Sequence, residues 1–295
     1  MSYAIQVRDL RKSYGSKEVL KGISFDVNCG EIFALLGING AGKTTTLECI
    51  EGLKKYDSGS IEVNGRCGVQ LQSSSLPGNM KAGEAMTLFS KWQKAKVNRE
   101  YVQRLGVAPF LQKQYGQLST GQKRRLHLAL ALLGNPDIVI LDEPTAGLDV
   151  EGRVTIHREI RKLKEQGKTI ILASHDMAEV GELCDRIGII KKGELAFLGT
   201  PDNLTDIEKD RFLLKVRLSK PVEFARESEL KAEGFSDQDG YYAIQTENLE
   251  DTLSLLIETI RKQGASMRDI HVERAGIEAR FLEIAKEEPD ESDAV

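Results

Sequence analysis

Thiols, imidazoles and large aromatic surfaces are scarce in this chain. Four cysteines, four histidines, seven prolines and one tryptophan are spread over 295 residues. Cys29, Cys49, Cys67 and Cys184 form no C-x-x-C pair and have no histidines interleaved at metal-ligand spacing. That argues against a zinc site or a disulfide framework and for reduced cytosolic thiols. No apolar run approaches the roughly 18 residues a membrane span requires; the longest lies around Leu128 to Leu133. The opening residues, Met1 to Arg8, carry charge too early for the apolar core of a secretion signal. A strong excess of one charge is also missing, and a net charge of -4 offers no bulk attraction to nucleic acid or anionic lipid. What remains is an ordinary globular composition, 40% hydrophobic and 29% charged, at a length that suits one large domain with an appendage.

One stretch dominates what is present. Gly37-Ile38-Asn39-Gly40-Ala41-Gly42-Lys43-Thr44 has the form G-x-x-x-x-G-K-T, a phosphate-binding P-loop. The run Ile32 to Leu36 ahead of it reads as a buried strand, and Thr44-Thr45-Thr46-Leu47 opens a helix. That context separates the motif from a chance glycine-rich turn. Glycines at 37, 40 and 42 let successive N–H groups point at a polyanion, and the positive helix end adds to the attraction. Lys43 contributes a full charge near the β- and γ-phosphates, and the Thr44 hydroxyl is placed to ligate Mg²⁺.

Residues 3–28 read as a β-meander punctuated by Gly15-Ser16, with Tyr14 just before the turn. Tyr14 is either a packing residue or a flat surface for adenine. Asn64-Gly65 is a hairpin signal between the strand Ile61 to Asn64 and the short strand from Cys67. From Ser73 to about Gly134 the pattern is helical, and Ala85, Met86, Leu88, Phe89 and Trp92 form a stripe expected to pack in the core or an interface. The apolar run Ile138 to Leu141 ends in Asp142-Glu143-Pro144. A strand buried on both faces belongs to a parallel sheet, whose carboxyl ends hold ligands. Asp142 is therefore placed to hold Mg²⁺ through water, and Glu143 to face the attacking nucleophile. A helix over Val154 to Glu165 ends at Gly167, and the strand Thr169 to Ala173 leads into Ser174-His175-Asp176. His127, His157 and His271 read as surface or packing residues, whereas His175 stands at a strand end. Alternating strands and helices specify a doubly wound α/β core with Lys43, Asp142, Glu143 and His175 at one sheet edge.

Leu118-Ser119-Thr120-Gly121-Gln122 resembles the signature sequence of ATP-binding cassette (ABC) proteins and stands between the P-loop and the Asp142 strand, as in that family. Gln72 matches the family's Q-loop glutamine, Ala146-Gly147-Leu148-Asp149 its D-loop and His175 its switch histidine, so the resemblance covers about residues 3–205. It implies a P-loop NTPase core with an N-terminal antiparallel β subdomain and a helical subdomain at about 73–135. ATP and Mg²⁺ are the implied cofactors. By resemblance, Tyr14 lies under adenine, and Gly37, Asn39, Gly40, Ala41, Gly42, Lys43, Thr44 and Thr45 hold the triphosphate. Thr44, Gln72 and Asp142 complete the Mg²⁺ shell. Glu143 polarises the attacking water, with His175, Lys43 and Gln72 contributing to catalysis. Ser119, Gly121, Gln122 and Asp149 meet a nucleotide held by a second cassette, as homodimer or heterodimer. A helix expected to begin after Gln122 would aim its positive end at Ser119 to Gly121, a second anion site that one chain hardly needs for one triphosphate. Thr120 departs from the commonest signature, which has glycine there; a β-branched residue restricts the backbone at that point, but its side chain can face away from phosphate, and activity is still expected. Glu179, Leu183 to Arg186 and Lys192 to Pro201 look most like cassettes of bacterial exporters for drugs, antimicrobial peptides or ions. The resemblance further implies a separate transmembrane permease, a cytoplasmic position at the inner face of the membrane through that permease, and no nucleic acid. A soluble cassette acting on ribosomes or DNA, or an inactive regulatory subunit, are the competing readings.

The nucleotide-binding domain is expected over residues 1–208. Residues 209–286 read as a small α/β sandwich in the order strand, helix, strand, helix, strand, helix, with a hairpin-like signal at Asp239-Gly240 and Asn248 capping a helix. Residues 287–295 are acidic and read as disordered.

Overall fold

The computed structural model describes residues 2–70, 76–97, 99–174, 176–206, 212–220, 222, 232–236, 241–274, 277, 280, 281 and 284. The chain divides into two compact units, the first running through Pro201 and the second covering Asp202–Lys286.

In the first unit, strands β1 (Tyr3–Tyr14) and β2 (Lys17–Asn28) make one long hairpin instead of a meander. Gly15, at φ +61°, supplies the left-handed residue that the two-residue turn needs. β4 (Ser58–Val63) adds to the other edge of β1, giving an antiparallel sheet ordered β2-β1-β4. The second sheet runs β5 (Cys67–Gln70), β6 (Ile138–Asp142), β7 (Thr169–Ala173), β3 (Ile32–Leu36), β8 (Arg186–Lys191), β9 (Glu194–Gly199). All its neighbours are parallel except β8 and β9. Every residue of β3, β6 and β7 is buried, as their unbroken apolar runs require of a sheet covered on both faces. The sheets share a core in which Ile5, Leu20, Ile23, Phe25 and Leu47 meet Phe33, Ile140 and Ile171. Phe25 stacks on Phe33 at 5.3 Å between ring centres. Each such side chain contributes about 1.5–3 kcal/mol by leaving water.

The Asn64-Gly65 hairpin does not form. β4 pairs with β1 in one sheet and β5 with β6 in the other, so the dipeptide carries the chain between sheets. Asp137 fixes that crossing by accepting from the Arg66 amide at 2.9 Å. Local turn propensity loses here to strand edges already occupied by other partners.

Helix α1 (Lys43–Ile50) follows the P-loop, and α2 (Ala82–Trp92), α3 (Arg99–Arg104) and α4 (Thr120–Ala131) follow β5. The stripe on α2 splits: Ala85 and Met86 are buried, but Leu88 and Trp92 are 52% and 76% exposed. α4 starts earlier than expected, because Ser119 is its N-cap. The Ser119 hydroxyl accepts from the Gln122 amide at 3.2 Å while Gln122 Oε1 accepts from the Ser119 amide at 3.1 Å, a reciprocal capping box. α5 (Val150–Glu165) likewise starts early, capped by Asp149, whose Oδ1 accepts from the Gly152 amide at 2.8 Å. α3 is tied to α5 by Arg104 and Glu159, whose carboxylate takes two bonds from one guanidinium. α6 (Met177–Leu183) precedes β8, and α7 (Pro201–Asp206) begins on the last residue before the division and runs into the second unit.

In the second unit, β10 (Phe212–Leu218), β11 (Ala232–Ser236), β12 (Tyr241–Thr246) and β13 (Met267–Arg274) form an antiparallel sheet ordered β11-β12-β10-β13. α8 (Leu249–Lys262), capped by Asn248 as expected, buries Leu256 and Ile260 against Leu214, Val216 and Ile244. Among the described residues β11 and β12 are successive strands paired with each other, where the alternating order had one strand, and α8 follows them; residues 223–231, between β10 and β11, lie outside the described residues. Asp239-Gly240 and residues 287–295 lie outside the described residues.

Candidate functional site

The carboxyl end of β3 delivers residues 37–42 as a loop that wraps the start of α1. Gly42 caps that helix at φ +117°, and a Cβ there would stand 2.7 Å from Leu20 Cδ2 and 3.3 Å from the Val19 carbonyl. Only glycine lets the loop pass this close to β2. Lys43 folds back over the loop, its ammonium donating to the carbonyls of Gly37 and, at 3.3 Å, Ile38. Burial lowers the Lys43 pKa, against the opposing pull of Glu143 and Asp142. Thr46, one turn further on, bonds the Gly42 carbonyl at 2.9 Å and pins the first turn.

The pairing of β3 with β7 and of β7 with β6 brings the next motif to the same edge. Asp142, the last residue of β6, is 6% exposed, and its carboxyl is pushed up to about 6 by burial first and by Glu143 second, with Lys43 opposing. Glu143 is held at φ +52°, a left-handed conformation that costs a residue with a Cβ about 1–3 kcal/mol. Its amide donates to the Ala173 carbonyl at 2.9 Å, which locks the turn to the end of β7.

These elements enclose a cleft of about 260 Å³ lined by Tyr14, Asn39, Gly40, Gly42, Lys43, Thr44, Thr45, Asp142 and Glu143, together with Lys17 and Val19 from the hairpin. Gly37 and Ala41 shape the loop without lining the cleft. Tyr14 is 43% exposed at its rim, with the ammonium groups of Lys12 and Lys54 5.4 and 5.3 Å from the ring centre. Ser119, Gly121 and Asp149 line a different cleft of about 430 Å³ with Arg125 and Gly147. No residue is shared between the two. Gln122 lines neither, since its side chain is spent on the capping box. Gln72 and His175 lie outside the described residues.

The donor set fits a magnesium nucleotide. Among the described residues no group of three or more His, Cys, Asp or Glu side chains could hold a metal unaided. One buried carboxylate and one threonine hydroxyl beside a phosphate loop are what an ion that keeps waters and shares phosphate oxygens requires.

Comparison with known proteins bears on the same residues. The family model described as ABC transporter matches residues 20–146, from β2 through the turn after Glu143. The linearmycin resistance ATP-binding protein LnrL of Bacillus subtilis is 37% identical over 218 residues, 68% of this chain and 70% of LnrL. The chain belongs to the ABC transporter family. The Nod factor export ATP-binding protein I of Burkholderia orbicola is 38% identical over 227 residues, covering 69% of this cassette and 73% of its own length. Among solved structures, an ATP-binding subunit of an ABC transporter superposes with a TM-score of 0.64 at 26% identity, over 69% of this chain and 92% of the other. A dimeric bacterial ABC transporter cassette shares the fold at TM-score 0.61 and 24% identity, over 66% and 98%. The protein is accordingly an ATP-hydrolysing cassette that binds nucleotide. A second model, for an AAA domain described as a putative AbiEii toxin, overlaps it at residues 113–181.

Several residues of consequence escaped the sequence reading. A cavity of about 690 Å³ is lined by apolar side chains that include Leu53, Leu76, Phe89, Trp92 and Leu130, and by polar ones that include Glu51, Gln70, Arg66 and Gln93. Both carboxylate oxygens of Glu51 and both amide atoms of Gln70 are buried without a hydrogen bond among the described residues. Burial, then Asp142 and Glu48, push the Glu51 carboxyl up to about 7. His127 also lines this cavity, kept neutral by burial with its pKa lowered to about 4, and bonds the Tyr115 hydroxyl at 2.9 Å. Glu51 directly follows α1, and no spacing marks its side chain as turned inward.

Proposed function

We propose that this cassette is the energy-supplying subunit of a membrane exporter, working as one half of a nucleotide-sandwich dimer beside a separate permease. The observation that carries the reading is the separation of the two clefts within one chain. The P-loop cleft offers one triphosphate site, and the cleft at the head of α4 offers a positive helix end with no phosphate loop of its own. Two copies arranged head to tail satisfy both.

In that assembly the roles fall to residues as follows. Tyr14 stacks on adenine, the loop amides from Asn39 to Thr45 take the phosphates, and Lys43 neutralises them with its ammonium already held over the loop. Thr44 and Asp142, with Gln72, would hold Mg²⁺, which would supply charge neutralisation to the phosphates. The Glu143 carboxylate accepts the proton of the attacking water, and its left-handed backbone turns that carboxylate toward the cleft. Ser119 and Gly121 of the second copy close over the γ-phosphate, so that turnover and dimer opening are coupled.

The names of LnrL and of the Nod factor export proteins motivate export as the direction. Among the described residues no helix is long and apolar enough to cross a membrane, which supports a separate permease and a position at the inner face of the membrane. We assign the cavity beside Gln70 to a cytoplasmic segment of that permease: Phe89 and Trp92 in its lining offer apolar contact, with exposed Leu88 on the same helix, and Glu51 and Gln70 offer acceptors to a basic or donor side chain.

The test is the Glu143→Gln variant with Mg²⁺ and ATP, followed by light scattering and nucleotide counting. Dimers holding two ATP per pair, lost when Ser119 is replaced by Arg, are expected. A protein that stays monomeric at saturating ATP would refute the sandwich.

A further inference from the structure

Glu179, on α6, has no part in the phosphate and metal sites proposed for this chain, yet its side chain is 1% exposed and engaged on every side. Its Oε2 accepts from the Ser174 hydroxyl at 2.6 Å and from the Thr145 hydroxyl at 3.2 Å. Its Oε1 pairs with His157 Nε2 at 3.0 Å. These partners come from three separate segments. Thr145 lies two residues past Glu143 in the turn after β6, Ser174 is the residue after β7 that precedes His175 in the sequence, and His157 sits on α5, the helix that Asp149 caps. α6 is itself anchored, because Asp176 Oδ1 accepts from the amides of Ala178 and Glu179 at 3.1 and 3.2 Å, and the Ser174 hydroxyl accepts from the Asp176 amide at 3.1 Å.

The turn after β6 needs such a clamp. Glu143 holds a left-handed conformation, which persists only where the surroundings over-determine it. The backbone bonds from the Glu143 amide to Ala173 and from the Ala146 amide to the Glu143 carbonyl fix the turn on one side. Thr145, drawn onto Glu179, fixes it on the other. We propose that Glu179 is a positioning residue for ATP hydrolysis, a buried acceptor that bolts the turn bearing Glu143 to the end of β7 and thereby sets where the Glu143 carboxylate stands. The inference rests on the hydrolytic role assigned to Glu143 above. An ionised carboxylate suits the post because it only accepts, so both hydroxyls and the imidazole N–H can point at it together. A glutamine presents one acceptor oxygen and an NH₂, and at least one of the three bonds must then reverse or break.

The experiment separates positioning from folding and from binding. Turnover of the full chain is measured for Glu179→Gln, Thr145→Val and Ser174→Ala, with Glu143→Gln as reference, alongside the affinity for a fluorescent ATP analogue with Mg²⁺ and the thermal midpoint. In each of the three variants kcat should fall about tenfold or more, the usual loss when a supporting partner of a reacting group is removed, while KM and analogue affinity stay within about twofold. Combining Glu179→Gln with Thr145→Val should cost little beyond either alone, because both cut one clasp. If Glu143→Gln is inactive and the clasp variants turn over at the wild-type rate, Glu179 has no positioning role. Loss of affinity or of thermal stability in proportion to kcat would make it a structural residue only. If Glu143→Gln hydrolyses normally, the reading of Glu143 itself falls, and this inference with it. Should Glu179→Gln fail to fold, Thr145→Val and Ser174→Ala decide the matter by the same readouts.

Discussion

Replacing Asp142 by asparagine should make the nucleotide-free protein more stable while removing its response to magnesium nucleotide. The carboxyl is buried beside Glu143 and ionises at about 6, against 3.8 for an ordinary aspartate. The folded chain therefore holds this proton more tightly than the unfolded chain does. As pH rises past 3.8 the unfolded chain ionises first, and folded stability falls until the folded group has ionised too, near 6. At about 1.4 kcal/mol per pH unit the full penalty is on the order of 3 kcal/mol at neutral pH, and about half of that near pH 5. Part of the gain in the variant is given back, because Lys43 loses one of the two carboxylates that offset its burial. A net gain of about 1–3 kcal/mol remains, which at about 2–4 °C per kcal/mol for a unit of this size is a rise of several degrees. Calorimetry in EDTA at about pH 7.5 and about pH 5 reads it directly. The asparagine side chain is close to that of aspartate in shape, so packing is not in question. A variant less stable than wild type near pH 7.5, or a difference that does not shrink toward pH 5, would refute the electrostatic account of this site.

Three further outcomes follow from particular contacts. Gly42→Ala drives a Cβ into Leu20 at 2.7 Å from a backbone at φ +117°, so it should cost at least about 1–3 kcal/mol and abolish the thermal shift produced by MgATP; an unaltered shift would show that the loop re-forms around the methyl. Arg104→Met leaves the buried Glu159 carboxylate without its guanidinium and should lower stability by about 3–5 kcal/mol in urea unfolding, with Glu159→Leu as a second change restoring most of it. Trp92→Ala and Leu88→Ala, at positions 76% and 52% exposed, should leave the unfolding midpoint within about 0.5 kcal/mol while reducing recovery of the co-expressed permease in a pull-down; undiminished recovery would take the α2 face out of the docking surface.

The motifs that carry chemistry were legible because each is local. The P-loop lies between a strand and a helix within residues 32–50, and the acids at 142 and 143 close an apolar strand, so no distant contact is needed to read either. The start of α4 was expected too late, after Gln122, although Ser119 and Gln122 stand at capping-box spacing; the phosphate reading of the signature hides the simpler signal that the same residues begin a helix. Asn64-Gly65 failed for the opposite reason: its hairpin propensity is real but is overridden by pairing with β1 and β6, far off in the chain. Glu51 and Glu179 look like surface carboxylates in the sequence, because nothing adjacent announces burial.

Taken alone, the order of residues determined the family and the kind of ligand, a nucleotide, since these depend on motifs set by backbone freedom, charge and short-range periodicity. Only the fold decided that the P-loop and the loop at Ser119 open into separate clefts, that Asp142 is buried enough to hold its proton to about 6, and that Thr145, Ser174 and His157 converge on one carboxylate. The reason is physical: burial and convergence are set by which strand edges pair, and pairing joins residues whose separation along the chain carries no local trace of their nearness.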